Sequence, residues 1–136
     1  MLISFHTQVI DVTSGSRAKL GKHSGKDFSP IAGNLLVHDD GRIFQQFENW
    51  WQGNKVYQHL NHAVKKGRNY STTKAFSDFQ DRWAAEKKGR RVIPETKHNG
   101  MRTTPLFAVY DGQQYNYRDA RWVYTGKYCE VVKKVK

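Results

Sequence analysis

The segment from about residue 45 to 66 has the clearest helical patterning in the chain. At ~100° per residue Phe44, Phe47, Glu48 and Trp51 share one face, and Trp50, Tyr57, Leu60 and Val64 another. Such a helix is covered on two sides, with Gly53 allowing close approach or a bend. Residues 72–88, TTKAFSDFQDRWAAEKK, predict a second amphipathic helix: Phe76, Phe79 and Trp83 recur at three and four, Thr72 or Thr73 can cap it, and Gly89 can end it.

The remaining patterning is of strands and turns. LISFHTQVIDV, residues 2–12, has the β-branched and aromatic mix of a strand, with only loose alternation. Asn34 to Val37 suits a short strand, and Asp39-Asp40-Gly41 is a turn leading into Arg42-Ile43-Phe44. LFAVYDGQQYNY, 106–117, predicts a hairpin around Asp111-Gly112. Residues 13–27 predict a Gly-, Ser- and Lys-rich loop, and Pro94 to Pro105 an irregular connection. Residues 119–135 stay open, because YCEVVKKV fits a strand or a last helix. There is no internal repeat.

Length and charge narrow the picture. A chain of 136 residues suits one domain with a core of its own, here one rich in rings. No run reaches the ~18 apolar residues of a membrane helix, and the N-terminus has no signal-peptide pattern. One cysteine, Cys129, excludes an internal disulfide, in keeping with a cytoplasmic setting, phage or bacterial (the host cytoplasm if phage-encoded). The net charge of +11 favours encounter with polyanions. The positive residues cluster at Lys65, Lys66 and Arg68, at Lys87, Lys88, Arg90 and Arg91, and at the Lys133-Lys134 tail. Each cluster alone is an ordinary solvated surface; together they point to a nucleic-acid or phosphate-rich partner.

Several chemistries fit poorly. Five residues rather than four separate Gly15 from Gly21-Lys22, and His23 follows where a phosphate-binding loop needs Ser or Thr. His59-x-x-His62 lacks a third ligand, so no metal or other cofactor is expected. Cys129 has no nearby base. Glu48 is the better candidate: a carboxylate among Phe and Trp resists ionisation and becomes a usable general acid or base, unless its head simply reaches water. Gln52 and Lys55 continue its stripe as a polar line.

The pattern Gly41, Phe44, Glu48, Trp50, Trp51, Gln52 and Lys55 resembles the signature of the NADAR (YbiA-like) family, where a glycine-led turn and an aromatic precede a Glu-x-aromatic-aromatic-Gln-x-x-Lys helix. FSPIAGN, 28–34, is similar to the stretch that family carries upstream, while Asn49 departs from its usual histidine. RWAAEK, 82–87, and DARW, 119–122, resemble two shorter family motifs, although Val123 replaces the glycine that follows the second.

The resemblance implies an α+β fold, a single compact domain over 1–136, mainly helical with a small antiparallel sheet. It also implies hydrolysis of an N-glycosidic bond without a metal, on an ADP-ribosyl or phosphoribosyl conjugate, ADP-ribose attached to nucleic acid being one such substrate. Glu48 would be catalytic, Asp119 a second carboxylate, and Trp83 a ring fixing the sugar or base. Trp51, Gln52, Lys55, Ser16 and Arg17 would hold the substrate. Plain core packing is the reading for Trp50 and Trp122. The alternative is a basic nucleic-acid binder without turnover, using the Lys/Arg clusters and exposed rings such as Tyr115 and Tyr117.

Overall fold

The computed structural model describes residues 2–5, 8–11, 19–20, 23–24, 35–87, 97–98 and 101–134. Strands β1 (Leu2–Phe5) and β2 (Gln8–Asp11) pair antiparallel, Leu2 opposite Asp11, so the expected single strand is a hairpin. A two-rung hairpin, β3 (Lys19–Leu20) with β4 (His23–Ser24), lies in the stretch expected to be loop. The Ser16 and Arg17 assignments and the FSPIAGN stretch lie outside the described residues.

Next come β5 (Val37–Asp39) and β6 (Arg42–Phe44), joined by Asp40 and Gly41 at φ of 48° and 80°. Two successive positive φ values make the primed turn that matches strand twist, and this is why an Asp-Gly pair sits there. The same chemistry recurs at Asp111 (φ 49°) and Gly112 (φ 75°), between β12 (Phe107–Tyr110) and β13 (Gln113–Tyr115).

Helix α1 (Phe47–Gly53) has seven residues and does not continue to residue 66. Asn54 ends it. The Asn54 Nδ2 donates to the Trp50 carbonyl at 2.7 Å, and its Oδ1 accepts from Gln80 Nε2 at 2.7 Å. The chain then extends as β7 (Lys55–Val56), which pairs with β12 and completes a three-stranded antiparallel sheet in the order β13-β12-β7. Val56 is fully buried there, so sheet pairing outweighs the helical periodicity read across this segment. A 3-10 turn at Gln58–Leu60 leads into the hairpin of β8 (Ala63–Lys66) and β9 (Asn69–Thr72).

Helix α2 (Lys74–Ala85) follows, with Phe76, Phe79, Gln80 and Trp83 buried, and it stops before Lys88 and Gly89. Thr73 caps it by accepting the Phe76 N–H at 3.3 Å. β10 (Lys97–His98) and β11 (Met101–Arg102) form a short hairpin inside the expected irregular connection. The open C-terminal segment is helix α3 (Tyr117–Lys133). Asn116 caps it through the Asp119 N–H at 2.8 Å, and Asp119 adds negative charge to the first turn.

The fold is α+β with antiparallel sheets. Among the described residues helix does not outweigh strand: three helices stand beside thirteen short strands. None of these helices is long and apolar enough to cross a membrane.

The core lies between α1, α2, α3 and the three-stranded sheet, and more than half of its buried apolar residues are rings. Trp50 is 1% exposed, and its Nε1–H donates to Asp39 Oδ2 at 2.6 Å. The other Asp39 oxygen accepts the Asp111 N–H at 2.8 Å, so one carboxylate ties β5, α1 and the β12–β13 turn. At the end of α1, Gly53 meets Trp83 so closely that an added Cβ would lie 2.7 Å from the Trp83 Cβ.

Two predictions follow from this packing. Gly53→Ala should destabilise by about 1–3 kcal/mol through overpacking, whereas Gly126→Ala, whose Cβ meets nothing within 4 Å in mid-helix, should stabilise by roughly 0.5–1 kcal/mol. Asp39→Ala strands the buried indole N–H and should cost about 2–4 kcal/mol. Urea unfolding of the three variants against wild type measures both.

Candidate active-site cleft

Glu48 stands in the first turn of α1, half-buried, where a carboxylate is favoured by the helix N-terminus. Gln52, one turn on, donates from Nε2 to Glu48 Oε1 at 2.7 Å. Lys55 Nζ donates to Gln52 Oε1 at 3.1 Å. The expected polar line therefore exists, although Lys55 reaches it from a strand. The same ammonium lies 5.2 Å from the centre of the Trp51 ring, within cation–π range.

Opposite this line is α3. Glu48 and Trp51 form one wall of a cleft of about 430 Å³, and Tyr117, Arg121, Tyr124 and Thr125 form the other. Tyr124 meets Trp51 edge-on, 4.7 Å between ring centres, and Phe47 edge-on at 5.0 Å. Trp51 stacks in turn on Tyr110 at 6.1 Å with 8° between planes. Burial first, and the Glu48 carboxylate second, push the Tyr124 phenol far above its usual range. A protonated donor therefore stays in the cleft at any ordinary pH. Arg121 brings a positive charge to the same cavity, and among the described residues its guanidinium has no ion-pair partner.

The structure does not bring the other expected catalytic residues here. Trp83 is 3% exposed and packs against Phe79 and Gly53, on the side of α1 that faces α2, so its ring is core. Asp119 is exposed, belongs to the capped first turn of α3 and does not line the cleft. Among the described residues, Glu48 is thus the sole carboxylate lining it. Trp50 is core, as its pattern suggested, but Trp122 is 75% exposed and is not. Phe44 turns from the Glu48 face toward Gly53.

Lys65, Lys66 and Arg68 are exposed on the β8–β9 hairpin, and Lys87 is exposed after α2; none of them lines the cleft. Lys88, Arg90 and Arg91 lie outside the described residues. Arg121, Tyr124 and Thr125 escaped the sequence reading, and Tyr117 entered it only as an exposed stacking ring, because their spacing becomes a shared face only once 117–133 is known to be helix.

A second cleft of about 500 Å³ opens on the other flank of α3, beside Val123 and Lys127. It is the larger, but of its carboxylates Asp39 has both oxygens committed to Trp50 and Asp111, while Asp40 and Asp111 are tight-turn residues. The smaller cleft has the better-placed chemistry. No protein-family model, curated protein or solved structure matches the chain. The site must be read from its own groups.

Burial, with Asp39 second, also raises the Tyr110 phenol; burial, with Tyr124 and then Cys129, raises that of Tyr128. All three phenols are raised above the unfolded value of about 10, so folding favours their protonated form. That stability is complete below pH ~10 and falls as pH climbs from there toward the folded values. Alkaline titration followed by tyrosinate absorbance and circular dichroism should show the last phenols ionising together with unfolding, and Tyr124→Phe should shrink that late step.

Proposed function

We propose that the protein hydrolyses an N-glycosidic bond of an ADP-ribosyl or phosphoribosyl conjugate, with a NADAR-like fold and site. The observation that carries this reading is the Glu48 cleft, in which a half-buried carboxylate, an aromatic wall and an arginine line one cavity. Breaking a C1′–N bond builds positive charge on the ribose ring. Glu48 offers the negative charge that stabilises it, and accepts a proton as water attacks C1′. The bonding pair leaves with the nitrogen, which takes up a proton from Glu48 or solvent, and the ribose departs with a new anomeric hydroxyl.

Gln52 holds one Glu48 oxygen and so orients the carboxylate, while Lys55 holds Gln52. Trp51 supplies a face for a base or sugar, and Arg121 a fork suited to a phosphate. Asp119 and Trp83 have no part in this chemistry. A basic nucleic-acid binder without turnover is the second reading, favoured by the exposed Lys65-Lys66-Gly67-Arg68 hairpin tip.

Glu48→Gln keeps the shape and hydrogen-bonding capacity of the side chain but removes its charge and basicity. ADP-ribose release from an ADP-ribosylated oligonucleotide should fall by about 10²–10⁴-fold, with ADP-ribose binding retained. Arg121→Ala should raise KM more than it lowers kcat. Unchanged release by Glu48→Gln would end the hydrolase reading.

A further inference from the structure

Apart from Tyr117, Arg121 and Thr125, which also line the cleft, the exposed face of α3 takes no part in the cleft chemistry, and its composition is unusual. Trp122 is 75% exposed and Tyr117 66% exposed, although large apolar rings are ordinarily covered. At ~100° per residue Arg118, Arg121, Trp122, Thr125, Cys129 and Lys133 fall on one stripe, and all six are exposed. The acidic residues of the helix lie off it. Asp119 and Glu130 occupy the neighbouring flank, where Glu130 is held by Lys127 at 3.9 Å and Lys134 at 3.5 Å. Among the described residues neither Arg118 nor Arg121 has an ion-pair partner.

A stripe of uncompensated positive charge around an exposed indole matches a partner that is a regular polyanion and also offers flat faces. We infer that this stripe, about 22 Å long from Arg118 to Lys133 at 1.5 Å per residue, docks a single-stranded nucleic acid. Its bases stack on Trp122 and Tyr117, and its phosphates meet Arg118, Arg121 and Lys133. A duplex hides its base faces, and a simple polyanion has none, so both use only the charges. Mid-helix Gly126 lies beside the stripe with open space over its Cα, which leaves room for a close approach. Tyr117 and Arg121 also line the Glu48 cleft, so a strand on the stripe runs to its mouth. The inference rests on exposure and charge rather than on hydrolysis, and it holds for a protein with no turnover.

The test is anisotropy with a fluorescein-labelled oligo-dT, competed by a duplex of equal length, inorganic polyphosphate or anionic lipid vesicles. Trp122→Ala should weaken oligo-dT binding about ten-fold or more, as expected for a lost stacking platform, and Trp122→Phe should restore most of it. Arg118→Ala should lower the slope of log affinity against log salt by about 0.7. Circular dichroism should show α3 intact in each variant. Wild-type affinity in Trp122→Ala would overturn the inference, as would competition by duplex, polyphosphate or vesicles equal to that by unlabelled oligo-dT. None of these measurements depends on Glu48, so a failure here and a failure of the hydrolase reading can be told apart.

Discussion

The Asp39 carboxylate is where the fold is joined. One oxygen holds the Trp50 indole and the other the Asp111 backbone N–H, two groups far apart in sequence and on different elements. Burying an indole N–H without a partner is costly, and the Asp39 carboxylate removes that cost for Trp50 in the core. Once it is there, α1 is aligned against β12, and the ring network of Tyr110, Trp51 and Tyr124 follows from that alignment. Glu48 inherits its place from this chain of contacts, and the Gln52 hydrogen bond then orients its carboxylate.

A short helix is enough to present the candidate site because its neighbours hold it from several sides. Asn49 Nδ2 donates to the Glu86 carbonyl at the end of α2, at 3.0 Å. Gly53 admits Trp83, and Asn54 and Gln80 share a buried hydrogen bond. The face left over carries Glu48 and Gln52. Polar groups gather on this face because the other faces of α1 are occupied by packing.

Much of this was legible in the sequence, and the misses have physical causes. The two Asp-Gly turns and the three-four spacing of Phe76, Phe79 and Trp83 are local signals, decided by backbone sterics and by one helical face. The Glu48–Gln52–Lys55 line was also read correctly, though for Lys55 the register came from a strand. The long helix over 45–66 failed because periodicity cannot register that Val56 pairs with Phe107, more than a third of the chain away. Trp83 and Asp119 were placed at the site through short motifs, and tertiary position then separated them from Glu48. Arg121 and Tyr124 stayed invisible, and Tyr117 was legible only as an exposed ring, while the 117–133 segment was undecided between strand and helix.

The contact between Gly53 and Trp83 has an effect beyond packing. It lies on the reverse of the two-turn rod that bears Glu48, so any bulk added there pushes the rod toward the opening on its front. The carboxylate can thus be moved, by fractions of an ångström, from a position that never touches a ligand. Drift at such hidden positions would adjust the cavity like a screw behind a panel.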